Sequence, residues 1–120
     1  MATYDKLVLS GSTDGAGILV TATASSGTTI HTASATTTTY DEIWLYAVNT
    51  SASNVKLTIQ WGTTTSPNGD IELTVLPEAG LVTVVPGLPL KGNATPLVVR
   101  AFAATGSVIV VHGYVNRISA

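Results

Sequence analysis

Apolar residues recur at every second position along this chain, and no stretch carries the three-to-four spacing of an amphipathic helix. The pattern predicts strands bounded by Gly, Pro and Asn. Residues 54–61 show it most plainly: Val55, Leu57, Ile59 and Trp61 fall on one face, with Lys56, Thr58 and Gln60 on the other. That is a half-buried strand with Trp61 turned to the core. Residues 70–76 repeat the pattern, with Ile71, Leu73 and Val75 opposite Asp70, Glu72 and Thr74. Two segments differ. Residues 42–49 are apolar on both faces, with Trp44, Tyr46 and Val48 on one and Ile43, Leu45 and Ala47 on the other. Residues 107–115 behave alike: Val108 and Val110 oppose Ile109 and Val111, and His112 and Tyr114 continue the first face. Such a strand is either central in a sandwich or covered by a neighbouring subunit.

The punctuation between strands has its own chemistry. Val85-Pro86-Gly87-Leu88 has the Pro and Gly positions of a type II turn, and Ala104-Thr105-Gly106-Ser107 reads as a tight hairpin. Leu76-Pro77-Glu78-Ala79-Gly80 turns the chain before a strand at 81–85, and residues 18–24 and 28–35 flank Ser25-Ser26-Gly27 as a Thr-rich hairpin. With a strand about every ten residues, these elements predict an all-β sandwich or barrel of about eight antiparallel strands. A length of 120 residues allows one domain. Within it, residues 1–14 are expected to form an N-terminal arm and residues 15–40 the Thr-rich hairpin region.

The charge count changes the picture. Only 10% of the residues are charged, against about 25% in an ordinary soluble domain. Thr and Ser, 30 of the 120 residues, hydrate the strands instead. The five basic residues are scattered and the net charge is −2, so no stripe exists to neutralise nucleic-acid phosphates. No run of 18 apolar residues exists to span a bilayer as a helix. Without cysteine, disulfides, thiol nucleophiles and thiolate-bound zinc are excluded. Asp5 and Lys6 interrupt the opening where a signal peptide needs an apolar segment, so the chain is expected to be made, unprocessed, in a cytoplasm.

Candidate chemistry is sparse. His31, in a polar Thr-rich context, is expected in solvent, and His112 is expected to be a partly buried strand residue bonded to backbone. Neither accompanies a Gly-x-Ser-x-Gly elbow, so a hydrolase is disfavoured and no catalytic residue is assigned. Asp70 and Glu72 share one strand face, and Asp41 and Glu42 are adjacent. Neither pair has the cross-cleft separation of a glycosidase, nor enough oxygens for calcium. The scattered glycines form no phosphate cradle, so no cofactor and no metal are expected. Trp44 and the tyrosines leave open a sugar-stacking face.

From Tyr40 to Ile118 the chain resembles a known group. The segments are Asp41-Glu42-Ile43-Trp44-Leu45-Tyr46-Ala47-Val48-Asn49, Leu57-Thr58-Ile59-Gln60-Trp61-Gly62, Val85-Pro86-Gly87-Leu88, Arg100-Ala101-Phe102-Ala103-Ala104 and His112-Gly113-Tyr114-Val115-Asn116-Arg117-Ile118. They are similar to small virion proteins of tailed bacteriophages, above all to capsid decoration, or cement, proteins, with residues 41–118 as the matching core. The resemblance implies a jelly-roll-like β-sandwich that acts without catalysis on the capsid exterior. There it would form a dimer or trimer and bridge subunits of the major capsid protein. The expected assembly contacts are Trp44 and Tyr46 on the two-faced strand, Tyr4 and Lys6 in an N-terminal segment able to add a strand to a capsid edge, and Arg100 and Arg117. The two arginines are either anchors for acidic capsid groups or strand caps in solvent. The alternative is a glycan-binding or other virion surface module, such as a head fibre base or tail component, using an exposed aromatic face.

Overall fold

The computed structural model describes residues 2–119; Met1 and Ala120, the ends of the expected domain, lie outside the described residues. Nine strands follow one another: β1 (Thr3–Val8), β2 (Ile18–Val20), β3 (Thr28–Thr32), β4 (Thr39–Asn49), β5 (Val55–Trp61), β6 (Asp70–Val75), β7 (Val82–Lys91), β8 (Val98–Ala103) and β9 (Ile109–Ser119). Every pairing is antiparallel. One sheet has the order β1-β9-β4-β7, with β2 pairing β9 beyond the end of β1; the other has the order β3-β8-β5-β6.

The bonded pairs β2·β9, β3·β8, β4·β7 and β5·β6 are nested, as in one long hairpin folded across two sheets. That nesting, with β1 and β2 as two pieces of one interrupted strand, is a jelly roll. The core lies between the sheets. Ile43, Leu45 and Ala47 of β4 and Val111 and Val115 of β9 face Leu57, Ile59, Val99 and Ala101, all fully buried. Trp61 packs against this core and stays partly exposed.

Three expectations of local pairing are overturned. Residues 18–24 and 28–35 do not form a hairpin: β2 belongs to one sheet and β3 to the other. Ala104-Thr105-Gly106-Ser107 likewise carries the chain from β8 across to β9 in the opposite sheet. Turn residues reverse the chain without fixing whether it pairs back or crosses the sandwich. Val85-Pro86-Gly87-Leu88 is no turn at all but lies inside β7, where the register against β4 slips between Ile43↔Leu88 and Trp44↔Pro86. Gly87, at φ 79°, is the extra residue of this bulge. An edge strand accepts it, because the missing Pro N–H breaks no ladder on the open side. The expected N-terminal arm is placed by β1, whose whole length is paired to β9 of its own chain.

Candidate functional site

Strands β1, β4 and β9 present alternate residues away from the core, and the antiparallel register sets these side by side. Val8, Tyr114 and Trp44 form one row, Lys6, Asn116 and Glu42 the next, and Tyr4, Ile118 and Tyr40 the third. Towards β2 the rows continue with His112 beside Tyr46 and with Leu19, Val110 and Val48. The result is an aromatic and aliphatic outer face whose charged side chains are Lys6, Glu42 and, beside Tyr40 on β7, Lys91. Tyr4 is 72% exposed and Val8 50%. The segments predicted to be apolar on both sides are β4 and β9, central in their sheet, with one face in the core and the other on this surface.

The face is ordered internally. The rings of Trp44 and Tyr114 are nearly parallel, 8° apart in plane with centroids 6.0 Å apart, and Lys6 Nζ lies 5.0 Å from the Tyr114 centroid. Trp44 Nε1–H donates to Glu42 Oε1 at 2.8 Å, and Asn116 Nδ2–H donates to the same oxygen at 3.1 Å. These two donors, Trp44 first, hold the Glu42 carboxyl below its ordinary range. Beside them Tyr4, Asp5, Lys6, Glu42, Asn116 and Ile118 line a shallow depression of about 370 Å³.

Four of the six expected contacts, Tyr4, Lys6, Trp44 and Tyr46, therefore share one surface. The two arginines do not join them. Arg100 lies on the outer face of the other sheet, where its guanidinium donates to Thr29 Oγ1 at 3.1 Å. That face carries the Lys56–Glu72 ion pair. Asp70 there is half-buried and accepts from Ser66. Arg117 points inward, donating through Nε and Nη2 to the two oxygens of Asp41 at 2.7 and 2.9 Å. It is neither a free anchor nor a solvated cap, because its fork is closed on a buried carboxylate.

The same carboxylate corrects the reading of His31, which is 1% exposed rather than solvated. A register shift in β3 between Thr29 and His31 turns both Ile30 and His31 inward. His31 Nε2–H donates to Asp41 Oδ2 at 2.8 Å, and Nδ1 accepts from the Ser10 backbone N–H at 3.1 Å. With both nitrogens engaged, the ring has no lone pair free to take a proton from a serine hydroxyl, so the pair resembles a catalytic dyad in composition only. Burial pushes Asp41 up, but the hydrogen bonds from Arg117 and His31 outweigh it and hold the carboxyl below its ordinary range. Burial also pushes His31 down, opposed but not reversed by Asp41. His112 is half-buried on the outer face, and its ring makes no hydrogen bond among the described residues, contrary to the expected backbone bond.

Sequence reasoning missed the His31–Asp41–Arg117 cluster, although one signal was present. Asp41 is in step with Ile43, Leu45 and Ala47, and Arg117 with Val111 and Val115, so each continues a core face. A charge on a core face requires a partner. Among the described residues, no three His, Asp or Glu side chains converge as a metal site would require.

Comparison with known proteins assigns no relative. The chain matches no protein-family model, no curated protein and no solved structure at a significant level.

Proposed function

We propose that this chain is a non-catalytic assembly protein that lays the outer face of its five-stranded sheet on another protein surface. In this reading that surface is the exterior of a tailed-phage capsid, where the chain, as a small homo-oligomer, bridges major capsid subunits. The observation that carries the reading is the face on which Val8, Tyr114, Trp44, Tyr46, Val48, Val110 and Leu19 adjoin, with Tyr4 and Tyr40 beyond the row of Lys6, Asn116 and Glu42. Isolated apolar side chains on a surface are ordinary, whereas a contiguous patch marks an interaction site. Four strands across and 11 residues along β4 and β9 span about 19 Å by 36 Å, roughly 700 Å². One side of a standard protein interface is about 800 Å². Aromatic enrichment with few charges is the composition of an interface core. Many copies on a shell gain avidity from individually modest contacts. The resemblance of residues 40–118 to decoration proteins supplies the shell as partner. The jelly roll does not decide the matter, since it hosts both capsid and lectin domains.

A second reading, sugar binding, is favoured by the depression beside the Trp44–Tyr114 pair. It is the weaker one, because the Trp44 N–H and one Asn116 N–H, two donors a sugar hydroxyl would need, are already held by Glu42 Oε1. Co-sedimentation with undecorated, expanded tailed-phage capsids tests the first reading. The chain should pellet with the shells and raise their melting temperature, and failure of both ends the proposal. A glycan array with Trp44→Ala tests the second; equal signals from the two proteins remove the stacking argument.

A further inference from the structure

The N-terminal strand is weakly held on its own account. β1 pairs on one side only, with β9, and of its six residues only Leu7 is even half-buried. Besides that single ladder, this end of the chain is fixed by the segment that follows. Leu9 enters the core, and three hydrogen bonds join its neighbours to β3: Ser10 N–H to His31 Nδ1 at 3.1 Å, Gly11 N–H to Ile30 O at 2.9 Å, and Thr32 N–H to Ser10 Oγ at 2.7 Å. The first of these depends on the protonation state of a buried imidazole.

We propose that His31 is an acid-sensitive latch on the N-terminal segment: on taking up a proton it loses its bond to Ser10 and frees residues 9–12 and β1. Because Nδ1 accepts from Ser10, the ring is neutral with its hydrogen on Nε2. A second proton on Nδ1 places two donors face to face at 3.1 Å. The charges around the ring leave the imidazolium uncompensated. Asp41 of β4 is balanced by the paired guanidinium of Arg117 from β9, and Asp5 of β1, on the far side of Arg117, is exposed. Residues 9–12 bring no charged side chain. On β8, Arg100 turns to Thr29 on the opposite surface. Burial accordingly lowers the proton affinity of His31 in the closed form, Asp41 opposing without reversing it. The open form takes the proton more readily, so opening is favoured as pH falls below about 6.5, by up to about tenfold per pH unit. Tyr4, Lys6 and Val8 leave the docking face when β1 opens. That consequence rests on the function proposed above, whereas the latch does not.

The test uses the free chain, so its failure is separate from failure of the docking reading. Amide hydrogen exchange from pH 7 to pH 5, corrected for intrinsic rates, gives opening constants for residues 3–12 and for the core strands. The latch predicts that residues 3–12 open more readily than the core, with a constant rising by up to about tenfold per pH unit below about 6.5. In His31→Gln, which keeps a neutral donor for Asp41 and cannot titrate here, that rise disappears. A flat profile in the native chain, opening only together with the core, or an unchanged rise in the variant overturns the proposal. If the variant does not fold, the NMR titration of His31 in the native chain decides. A midpoint below 6.5 supports the latch, and one at or above 6.5 overturns it.

Discussion

Replacing Asp41 with Asn removes one charge and changes little in shape, so it isolates what the buried ion pair contributes. Asp41 is completely buried and receives three hydrogen bonds, two from Arg117 and one from His31. An Asn at this position keeps one oxygen acceptor, but its NH2 must face either the guanidinium or the imidazole N–H. Hydrogen bonds to charged groups contribute about 1.5–3 kcal/mol each, and removing one partner of a buried pair costs about 3–5 kcal/mol. The Arg117 side chain is 29% exposed and rehydrates in part, which places Asp41→Asn at the lower end, about 3 kcal/mol. For a chain of 120 residues that corresponds to a Tm lower by about 12 °C. Urea unfolding at pH 7 reads the loss directly, with Asp14→Asn, an exposed carboxylate away from Arg117, as the control expected within about 0.5 kcal/mol. The pH profile adds a second check. Because the folded-state Asp41 carboxyl lies below its ordinary range, its stabilisation is complete above about pH 4 and is lost as pH falls towards the lower folded value. The gap between native chain and variant should therefore close in acid. A loss under about 1 kcal/mol at pH 7, or a gap that stays constant down to pH 2.5, refutes the argument.

Other positions give sharper contrasts. Gly87→Ala places a Cβ 2.6 Å from the Trp44 ring at a residue with φ 79°, so thermal melting should show a loss of about 2 kcal/mol; a change within about 0.5 kcal/mol contradicts the bulge account. Gln60 is buried under the β2–β3 crossover, where its Oε1 accepts from Gly27 N–H at 2.8 Å. Gln60→Leu leaves that amide unpaired and should cost about 1–3 kcal/mol in urea unfolding. One substitution made on each face of the five-stranded sheet should separate them: Val48→Thr places its hydroxyl on the outer face and should stay within about 0.5 kcal/mol, whereas Val111→Thr, fully buried, puts it in the core at about 1–3 kcal/mol. Equal losses in calorimetry would mean that the two faces are assigned wrongly.

The strands whose alternation is unbroken were legible in the sequence. β5 and β6 stand where Val55, Leu57, Ile59 and Ile71, Leu73, Val75 predict them, and the two-faced character of β4 and β9 marks the centre of a sheet. The all-β sandwich of about eight strands follows from the same periodicity. What failed depends on where the chain goes after a turn. Ser25-Ser26-Gly27 and Ala104-Thr105-Gly106-Ser107 carry hairpin chemistry, yet each joins strands of different sheets, because pairing is decided by the burial of distant partners. His31 was misread because the irregularity in β3 breaks the alternation from which its exposure was inferred. Trp44 and Tyr46 were identified as a surface in need of cover. Their joining with Tyr4 and Lys6 depends on the pairing of β1 with β9 across more than a hundred residues, which no local pattern encodes.

The central claim is that the outer face of the β1-β9-β4-β7 sheet is the docking surface, and footprinting of the chain bound to undecorated, expanded tailed-phage capsids tests it most directly. Side-chain labelling should be lost at Tyr4, Lys6, Trp44, Tyr46 and Tyr114 on binding, while Lys56, Glu72 and Phe102 on the opposite sheet label as in the free chain. Protection of the opposite sheet with Trp44 and Tyr46 still labelled would contradict the account.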